Sequence, residues 1–327
     1  MSSGNPDTEP GGGNRIAFGP VPSRRLGRSL GINNIPPKHC SYSCVYCQVG
    51  PTASPEIEPR AFYAPERIRE AVERQVEAVR ARGERIDYLT FVPDGEPTLD
   101  ANLAEAIGAL RPLEIPIAVI SNASLAWRNE VRVALRRADW VSLKVDTVDE
   151  RCWRRINRAH PDLRLDRILA GIETLGGEFA GELVTETMLV AGLNDDDASV
   201  EAVAGFLERL SPAIAYVAVP IRPGAVSGVV PPSEQRITEA YQLLSGRLPR
   251  VEYLIGYEGN AFASTGDVVE DLLSITAVHP MREEAVRALL SRAGADWTVV
   301  EALIRRGLLK ETRYGERRFY VRRMAPR

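Results

Sequence analysis

Three of the chain's four cysteines fall in one short stretch, Cys40-Ser41-Tyr42-Ser43-Cys44-Val45-Tyr46-Cys47. Thiolates at this C-x3-C-x2-C spacing can each take one corner of a cubane iron–sulfur cluster, because such clusters use Cys sulfur as their ordinary ligand. Three ligands leave the fourth iron without a local protein donor, and an open position is what a catalytic metal keeps. A structural zinc site would instead want four ligands, usually in pairs. His39 adjoins Cys40, but adjacent residues rarely converge on one metal. The remaining Cys152 lies far along the chain in a helical stretch, Glu150-Arg-Cys-Trp-Arg154, and reads as buried. The loop therefore favours a cluster over zinc. Disulfides are not expected, since no secretory leader accompanies the cysteines.

Elements able to position such a loop follow in regular order. The 327 residues are 44% hydrophobic and 26% charged, ordinary values for a soluble globular chain. That length fits one large domain of ~200–250 residues and a smaller one. No apolar run approaches the ~18 residues of a membrane span. Residues 1–13 have no periodicity and little apolar content, so a disordered tail is expected to about residue 15, and a cytoplasmic location. A first short strand is expected at Ser29 to Ile32, just before the cysteines. Arg24, Arg25 and Arg28 precede it and are assigned no site, scattered arginines being more often a solvated face.

Beyond the loop, helices and strands alternate. Pro65 to Arg82 sets Ile68, Ala71, Val72, Val76 and Val79 on one helical face. Strands are expected at Tyr88–Val92, Ile117–Ser121, Trp140–Lys144, Leu183–Val190 and Ala215–Pro220. Helices are expected at Asn102–Leu110, Arg128–Arg137, Leu165–Leu175 and Ser199–Leu210. Six strand-then-helix units imply a parallel sheet. Six are too few to close an eight-stranded barrel, so the expected α/β fold is a partial (β/α)6 barrel over residues 16–225. Chemistry in such a fold sits at the C-terminal strand ends.

The last part changes character. Residues 226–275 read as a linking segment, with a helix from Pro231 to Leu248, a strand and turn from Tyr253, and a helix from Asp267 to Leu273. Residues 276–327 read as helix (Met281–Arg292), turn (Gly294), helix (Asp296–Arg306) and a hairpin around Tyr314-Gly315-Glu316. That order resembles a winged helix-turn-helix module. Residues 281–327 carry 12 Lys/Arg against 6 Asp/Glu, a balance of +6, while the rest of the chain stands at −9. Such asymmetry points to an anionic partner for the basic end, with RNA or DNA and peptide or protein both open. Arg305, Arg306, Arg313, Arg317 and Arg318 are the candidate contacts.

The cysteine spacing, with Tyr46 just before the last cysteine, resembles the signature of the radical S-adenosylmethionine (SAM) superfamily. The resemblance implies a 4Fe–4S cluster on Cys40, Cys44 and Cys47, with SAM on the open iron. It further implies reductive cleavage of SAM to methionine and a 5′-deoxyadenosyl radical, and a flavodoxin- or ferredoxin-type reductant. Gly95-Glu96-Pro97-Thr98 looks like the family's Gly-Glu-Pro element, whose backbone carbonyls receive the SAM ammonium; proline removes one N–H from that edge. Ser121 and Asn122 would meet the SAM carboxylate or ribose, and Lys144 and Asp146 a carboxylate and a ribose. Thr187 lies on the fifth strand, with Asn194 just past it, and Arg222 follows the sixth near the expected adenine. Each also reads as an ordinary polar residue capping a strand. Lys144 stands out, because a lysine in the apolar run Val-Ser-Leu-Lys-Val is costly to bury unless paired or used.

Within the superfamily, Pro22-Ser-Arg-Arg-Leu-Gly-Arg-Ser-Leu-Gly31, Cys44-Val-Tyr-Cys-Gln-Val-Gly50 and Thr90-Phe-Val-Pro-Asp-Gly-Glu-Pro-Thr-Leu-Asp100 resemble a branch related to the wyosine-forming tRNA enzymes (demethylwyosine synthases). Those enzymes use a second cluster on three further cysteines, and here only Cys152 is left. They also join pyruvate to a lysine, for which Lys38 and Lys144 are the only candidates in the barrel. SAM cleavage is therefore carried over and the wyosine reaction is not; no catalytic base or hydrogen donor is assigned. The expected substrate is macromolecular, with tRNA or other RNA first and a peptide or protein second. An iron–sulfur redox-sensing DNA-binding regulator is the reading from another class. It would have no use for Gly95-Glu96-Pro97 and the polar strand ends.

Overall fold

Two short runs, Ala17–Ser23 (β1) and Gly27–Ile32 (β2), pair antiparallel with Ala17 opposite Ile32 and Ser23 opposite Gly27. After β2 each strand of this sheet runs parallel to the one before it. The series is β3 (Tyr88–Phe91), β4 (Ile117–Ser121), β5 (Trp140–Lys144), β6 (Glu182–Met188), β7 (Ile214–Ala218) and β8 (Val251–Leu254). Sheet order follows chain order from β1 to β8. This computed structural model describes residues 15–254, 267–278, 281–314 and 317–322. The tail expected before residue 15, the turn expected after Leu254 and the hairpin tip at Gly315-Glu316 lie outside the described residues.

The crossovers are helical: α1 (Pro65–Ala81), α2 (Leu103–Leu110), α3 (Asn129–Leu135), α4 (Glu150–Ile156), α5 (Leu165–Glu178), α6 (Asp197–Leu210) and α7 (Glu234–Ser245). Their starts obey local chemistry. Pro65 occupies the first turn of α1 with its φ preset for a helix, while Asp149, Asp196 and Ser233 cap α4, α6 and α7 by accepting backbone N–H bonds. Each helix lays an apolar stripe on one face of the sheet. Ile68, Val72 and Val76 of α1 join Leu30, Ile32, Leu89, Phe91, Val119 and Val141 in a continuous core.

Alternate strand residues face the other way. There Leu26, Ala118, Trp140, Val184, Ile214 and Tyr216 form a separate cluster. Arg25, in the turn between β1 and β2, lies against this cluster. Its Nη1 reaches Glu186 Oε2 on β6 at 2.5 Å and Ser142 Oγ on β5 at 3.4 Å, and its guanidinium lies 5.9 and 6.0 Å from the Trp140 and Tyr216 ring centres. Four strand spacings separate β2 from β6, about 19 Å in a flat sheet, beyond any arginine's reach. The contact therefore requires the sheet to curl, as a partial barrel does. Among the described residues β8 does not pair back onto β1.

The six strands expected from the sequence are all present within two residues at either end. Two further strands flank them. β1 was hidden by Pro20 and Pro22, which mask a strand pattern but are tolerated on a sheet edge. β8 lies in what reads as a linking segment, yet it pairs with β7 from Ala215↔Val251 to Ala218↔Leu254.

The C-terminal residues build a second core. Helix α8 (Val268–Val278), strand β9 (Met281–Arg282), helices α9 (Glu283–Arg292) and α10 (Thr298–Arg305), and strands β10 (Leu309–Tyr314) and β11 (Arg317–Arg322) follow in order. The helix expected from Met281 begins two residues later, because Met281 and Arg282 pair with Tyr320 and Phe319 in a three-stranded sheet, β10-β11-β9. Leu272, Ile275, Met281, Val286, Leu289, Val300, Leu303 and Tyr320 pack together beneath it. Val21 of β1 packs onto this second core, and Arg15 meets Glu270 of α8 at 3.6 Å. No helix among the described residues is long and apolar enough to cross a membrane.

Glu186 bridges Arg25 and, through its other oxygen, Lys144 at 2.6 Å. Burial would raise its carboxyl, but the two cations outweigh that and bring it from 4.5 down to about 2. As pH falls the unfolded chain takes up this proton first, so the bridge's contribution is complete above about 4.5 and drains away toward about 2. Replacing Glu186 with Gln leaves two half-buried cations without their carboxylate and should cost about 1.5–3 kcal/mol of unfolding free energy at neutral pH. Urea unfolding followed by tryptophan fluorescence checks this; equal midpoints for the two proteins at neutral pH would exclude a stabilising bridge.

Candidate functional site

The cysteine loop follows the C-terminal end of β2 and carries no regular secondary structure. Its shape is imposed from two sides. On the first, the loop after β3 grips its entry: Lys38 N donates to Asp94 O at 2.7 Å and Glu96 N donates to His39 O at 2.9 Å. The backbones come so close that a Cβ on Gly95 would overlap the His39 carbonyl oxygen. Glu96 is buried and accepts four hydrogen bonds: from Thr98 N (3.1 Å), Thr98 Oγ1 (2.6 Å), Ser121 Oγ (2.7 Å) and Asn122 N (2.7 Å). Burial nevertheless holds its carboxyl above the usual range. Asn122 Nδ2 then reaches Ser41 Oγ at 2.9 Å and Cys40 Sγ at 3.5 Å. Gly95, Glu96, Pro97, Ser121 and Asn122 are thus one assembly around the first cysteine.

On the second side, Asp146 plays the same part. Its carboxylate accepts the Tyr46 hydroxyl, Asn157 Nδ2 at 2.7 Å and Met188 N at 2.9 Å. Asn157 Nδ2 also lies 3.5 Å from Cys44 Sγ. The end of α4 supplies backbone acceptors, with Val45 N donating to Ile156 O at 2.9 Å and Ser43 N to Asn157 O at 3.0 Å. Asn194 fixes the same corner by donating to the carbonyls of Asp146 (2.7 Å) and Met188 (2.9 Å). The cap Asp149 on Cys152 N aligns α4.

The remaining candidates divide. Lys144 points to the inner face, bound to Glu186 and with Nζ 5.0 Å from the Tyr46 ring centre. Burial acts against its charge, but Glu186 and Asp146 more than compensate and raise its pKa. Arg222 is buried and donates to Gln48 Oε1 at 3.1 Å, just past Cys47. Thr187 has the opposite strand parity from Glu186, and its hydroxyl donates to Val145 O at 2.9 Å. Cys152 is buried apart from the loop, its thiol donating to Leu193 O at 3.2 Å. Arg25, Glu186 and Asn157 escaped the sequence reading. Glu186, in the run Leu-Val-Thr-Glu-Thr-Met, was the available signal, since a cation in an apolar strand calls for a carboxylate on a neighbouring strand.

The donor set fits an iron–sulfur cluster. Three thiols share one loop, and two of them accept side-chain amide N–H groups, as cluster sulfurs do. Burial pushes the Cys44 thiol up to about 12, with Asp146 and Cys47 adding to it, and burial also raises Cys40 and Cys47. Thiols this reluctant to ionise side by side need cationic iron as the compensating charge. Among the described residues no three His, Cys, Asp or Glu side chains converge for a single ion. A cubane has no need of that, because each thiolate takes a different iron.

The family model for the radical SAM superfamily matches residues 34–204, from the start of the cysteine loop into α6. The UPF0026 protein MJ1312 of Methanocaldococcus jannaschii is 45% identical over 314 residues, covering 95% of this chain and 97% of that one. The fold is similar to that of TYW1 with a lysine-pyruvate adduct bound (17% identity, TM-score 0.53, 68% of this chain and 74% of that chain). It is also similar to Streptococcus suis SuiB bound to precursor peptide SuiA (14% identity, TM-score 0.51, 69% of this chain and 49% of that chain). The cysteine loop, the curled parallel sheet and a family match over more than half its length together place this chain in the radical SAM superfamily, whose enzymes use a 4Fe–4S cluster and S-adenosylmethionine.

Proposed function

We propose that this chain is a single-cluster radical SAM enzyme that modifies RNA, with Cys40, Cys44 and Cys47 as the cluster ligands. The observation that carries the chemistry is the three-thiol loop clamped between the Gly95-Glu96-Pro97 turn and the ends of β5 and β6. When bound, the cluster supplies the electron that breaks a C–S bond of SAM, giving methionine and a 5′-deoxyadenosyl radical. The chain's own groups hold SAM in place. The edge of Gly95-Glu96-Pro97 offers carbonyls to its ammonium, Lys144 and Arg222 offer N–H donors to its carboxylate and sugar, and Asn122, whose amide donates to Ser41 and Cys40, positions the loop. We assign Glu96, Ser121, Asp146, Tyr46 and Thr187 to positioning, because their polar atoms are already engaged by protein groups.

The reading divides the chain into a partial barrel running through β8 and a winged-helix unit from α8 onward, which moves the barrel's end beyond residue 225. The order helix, strand, helix, helix, hairpin supports a winged helix, and the +6 balance of residues 281–327 supports a polyanionic partner. Arg305, Arg306, Arg313, Arg317 and Arg318 are exposed on α10 and the hairpin. Arg318 is shared with Glu283 and Glu311, at 3.8 and 4.0 Å, and is the weakest of the five as an RNA contact. An external one-electron reductant completes the system.

Four outcomes follow. Anaerobically reconstituted wild-type protein, reduced with excess SAM, should release 5′-deoxyadenosine detectable by mass spectrometry, and Cys44→Ala should release none; a well-loaded cluster that yields none would remove SAM cleavage. Gly95→Ala should lower iron bound per chain after reconstitution, because a Cβ there displaces the His39 carbonyl beside Cys40; unchanged iron content would show that the clamp does not shape the site. Deoxyadenosine release should rise with an added RNA pool and not with a peptide pool. Changing Arg306, Arg313 and Arg317 together to Gln should weaken RNA binding about tenfold or more at moderate salt. Stimulation by peptides instead would transfer the reading to a peptide-modifying enzyme.

A further inference from the structure

Helix α4 ends in a run of cations. Arg151, Arg154, Arg155 and Arg158 recur at helical spacing, and like charges so spaced repel one another. Arg154 is consumed by the fold, binding Glu150 at 2.9 Å and the carbonyls of His160 (2.9 Å) and Leu163 (2.5 Å). Arg155 and Arg158 are exposed, and neither has a carboxylate partner among the described residues. Cations at a helix C-terminus complement its dipole, but that effect fades beyond the last turn, where Arg158 lies.

These two arginines line a groove of about 460 Å³ with Val45, Leu193, Val226 and Val229, and no acidic residue lines it. Its walls are fixed to the cysteine loop. Val45 belongs to that loop, Val226 N donates to Val45 O at 3.0 Å, and a Cβ on Gly224 would come within 2.9 Å of the same oxygen. Arg158 sits at φ 44°, a left-handed conformation, with its carbonyl accepting Ser43 N at 3.3 Å. The groove therefore opens beside the three cysteines, on the rim formed by the loops after β5, β6 and β7.

We propose that this groove binds the phosphodiester backbone of RNA beside the reacting centre. Guanidinium forks match phosphate oxygens in pairs, and the site is cationic without counter-charge. The C-terminal basic unit lies on the other side of the cysteine loop: it packs on β1, and Arg322 at the end of β11 feels the charge of Asp94, beside Gly95. A partner that touches both surfaces needs charge along its whole length. RNA carries it at every nucleotide, whereas a peptide carries it only at its acidic residues. The inference deepens the RNA-modifying function proposed above and rests on it.

Fluorescence anisotropy with a fluorescein-labelled mixed-sequence single-stranded RNA, titrated with full-length protein across about 50–200 mM salt, tests it. Arg155→Gln with Arg158→Gln should weaken binding about tenfold and lower the slope of log K against log salt by about 1.4, the value for two lost phosphate contacts. Arg80→Gln with Arg167→Gln removes two exposed arginines from the outer helices and should change neither. If wild type binds RNA and the groove variant matches it in affinity and slope, the groove is excluded while the RNA reading stands. If wild type binds no RNA but binds a polyaspartate peptide through Arg155 and Arg158, both assignments fall and the groove becomes a peptide site. If wild type binds neither, both fall outright.

Discussion

Three thiols on an irregular loop must be held apart and aimed without help from a helix or a strand ladder. Here two buried carboxylates do the holding. Glu96 collects four donors from its own turn and from the end of β4; Asp146 collects three from the loop, α4 and β6. A carboxylate taken out of water is costly unless its lone pairs are filled, so each of these two fixes every element that supplies a donor to it. Asn122 and Asn157 relay that fixation to Cys40 and Cys44. Loss of either carboxylate would unfasten the loop on one side while leaving the cysteines in place.

The inner face of the sheet carries a second polar arrangement of the same logic. Arg25 and Lys144 share Glu186 between them, and Trp140 and Tyr216 flank the guanidinium. Asp146, which accepts the Tyr46 hydroxyl, adds a second carboxylate to this set, so the two cations and two carboxylates beside Tyr46 balance. Glu186 is ionised at neutral pH, and both cations bind it in that form. The curl of the sheet is what allows the turn after β1 to contribute Arg25 to this arrangement.

The C-terminal unit docks against the edge of the sheet that begins at β1. Its own apolar core makes it a separate packing unit, but Val21 and the Arg15–Glu270 pair fasten it there. Burial lowers the pKa of Arg322, while Asp94 and Glu270 oppose the change, so the strand end is partly enclosed near the loop that grips the cysteines.

The sequence by itself determined the three-cysteine loop, the six parallel strands and the turn at Gly95-Glu96-Pro97. Each rests on local information: sulfur at short spacing, apolar periodicity, and a glycine and proline fixed between two apolar runs. Long-range hydrogen bonding was not legible. The sequence marked Ser121, Asp146 and Thr187 as polar strand ends, but only the folded sheet shows their oxygens engaged by Glu96, by Tyr46 and Met188, and by Val145. Arg25 read as one of several scattered arginines, since nothing near it in sequence announces a partner 161 residues away. A strand was legible from Tyr253, but that β8 starts at Val251 and joins the parallel sheet beside β7 was not, because four residues at a sheet edge carry too little pattern to name their partner. Tertiary structure decided these points for one physical reason: a buried charge or an edge strand is stabilised by groups that only the curled sheet brings within reach.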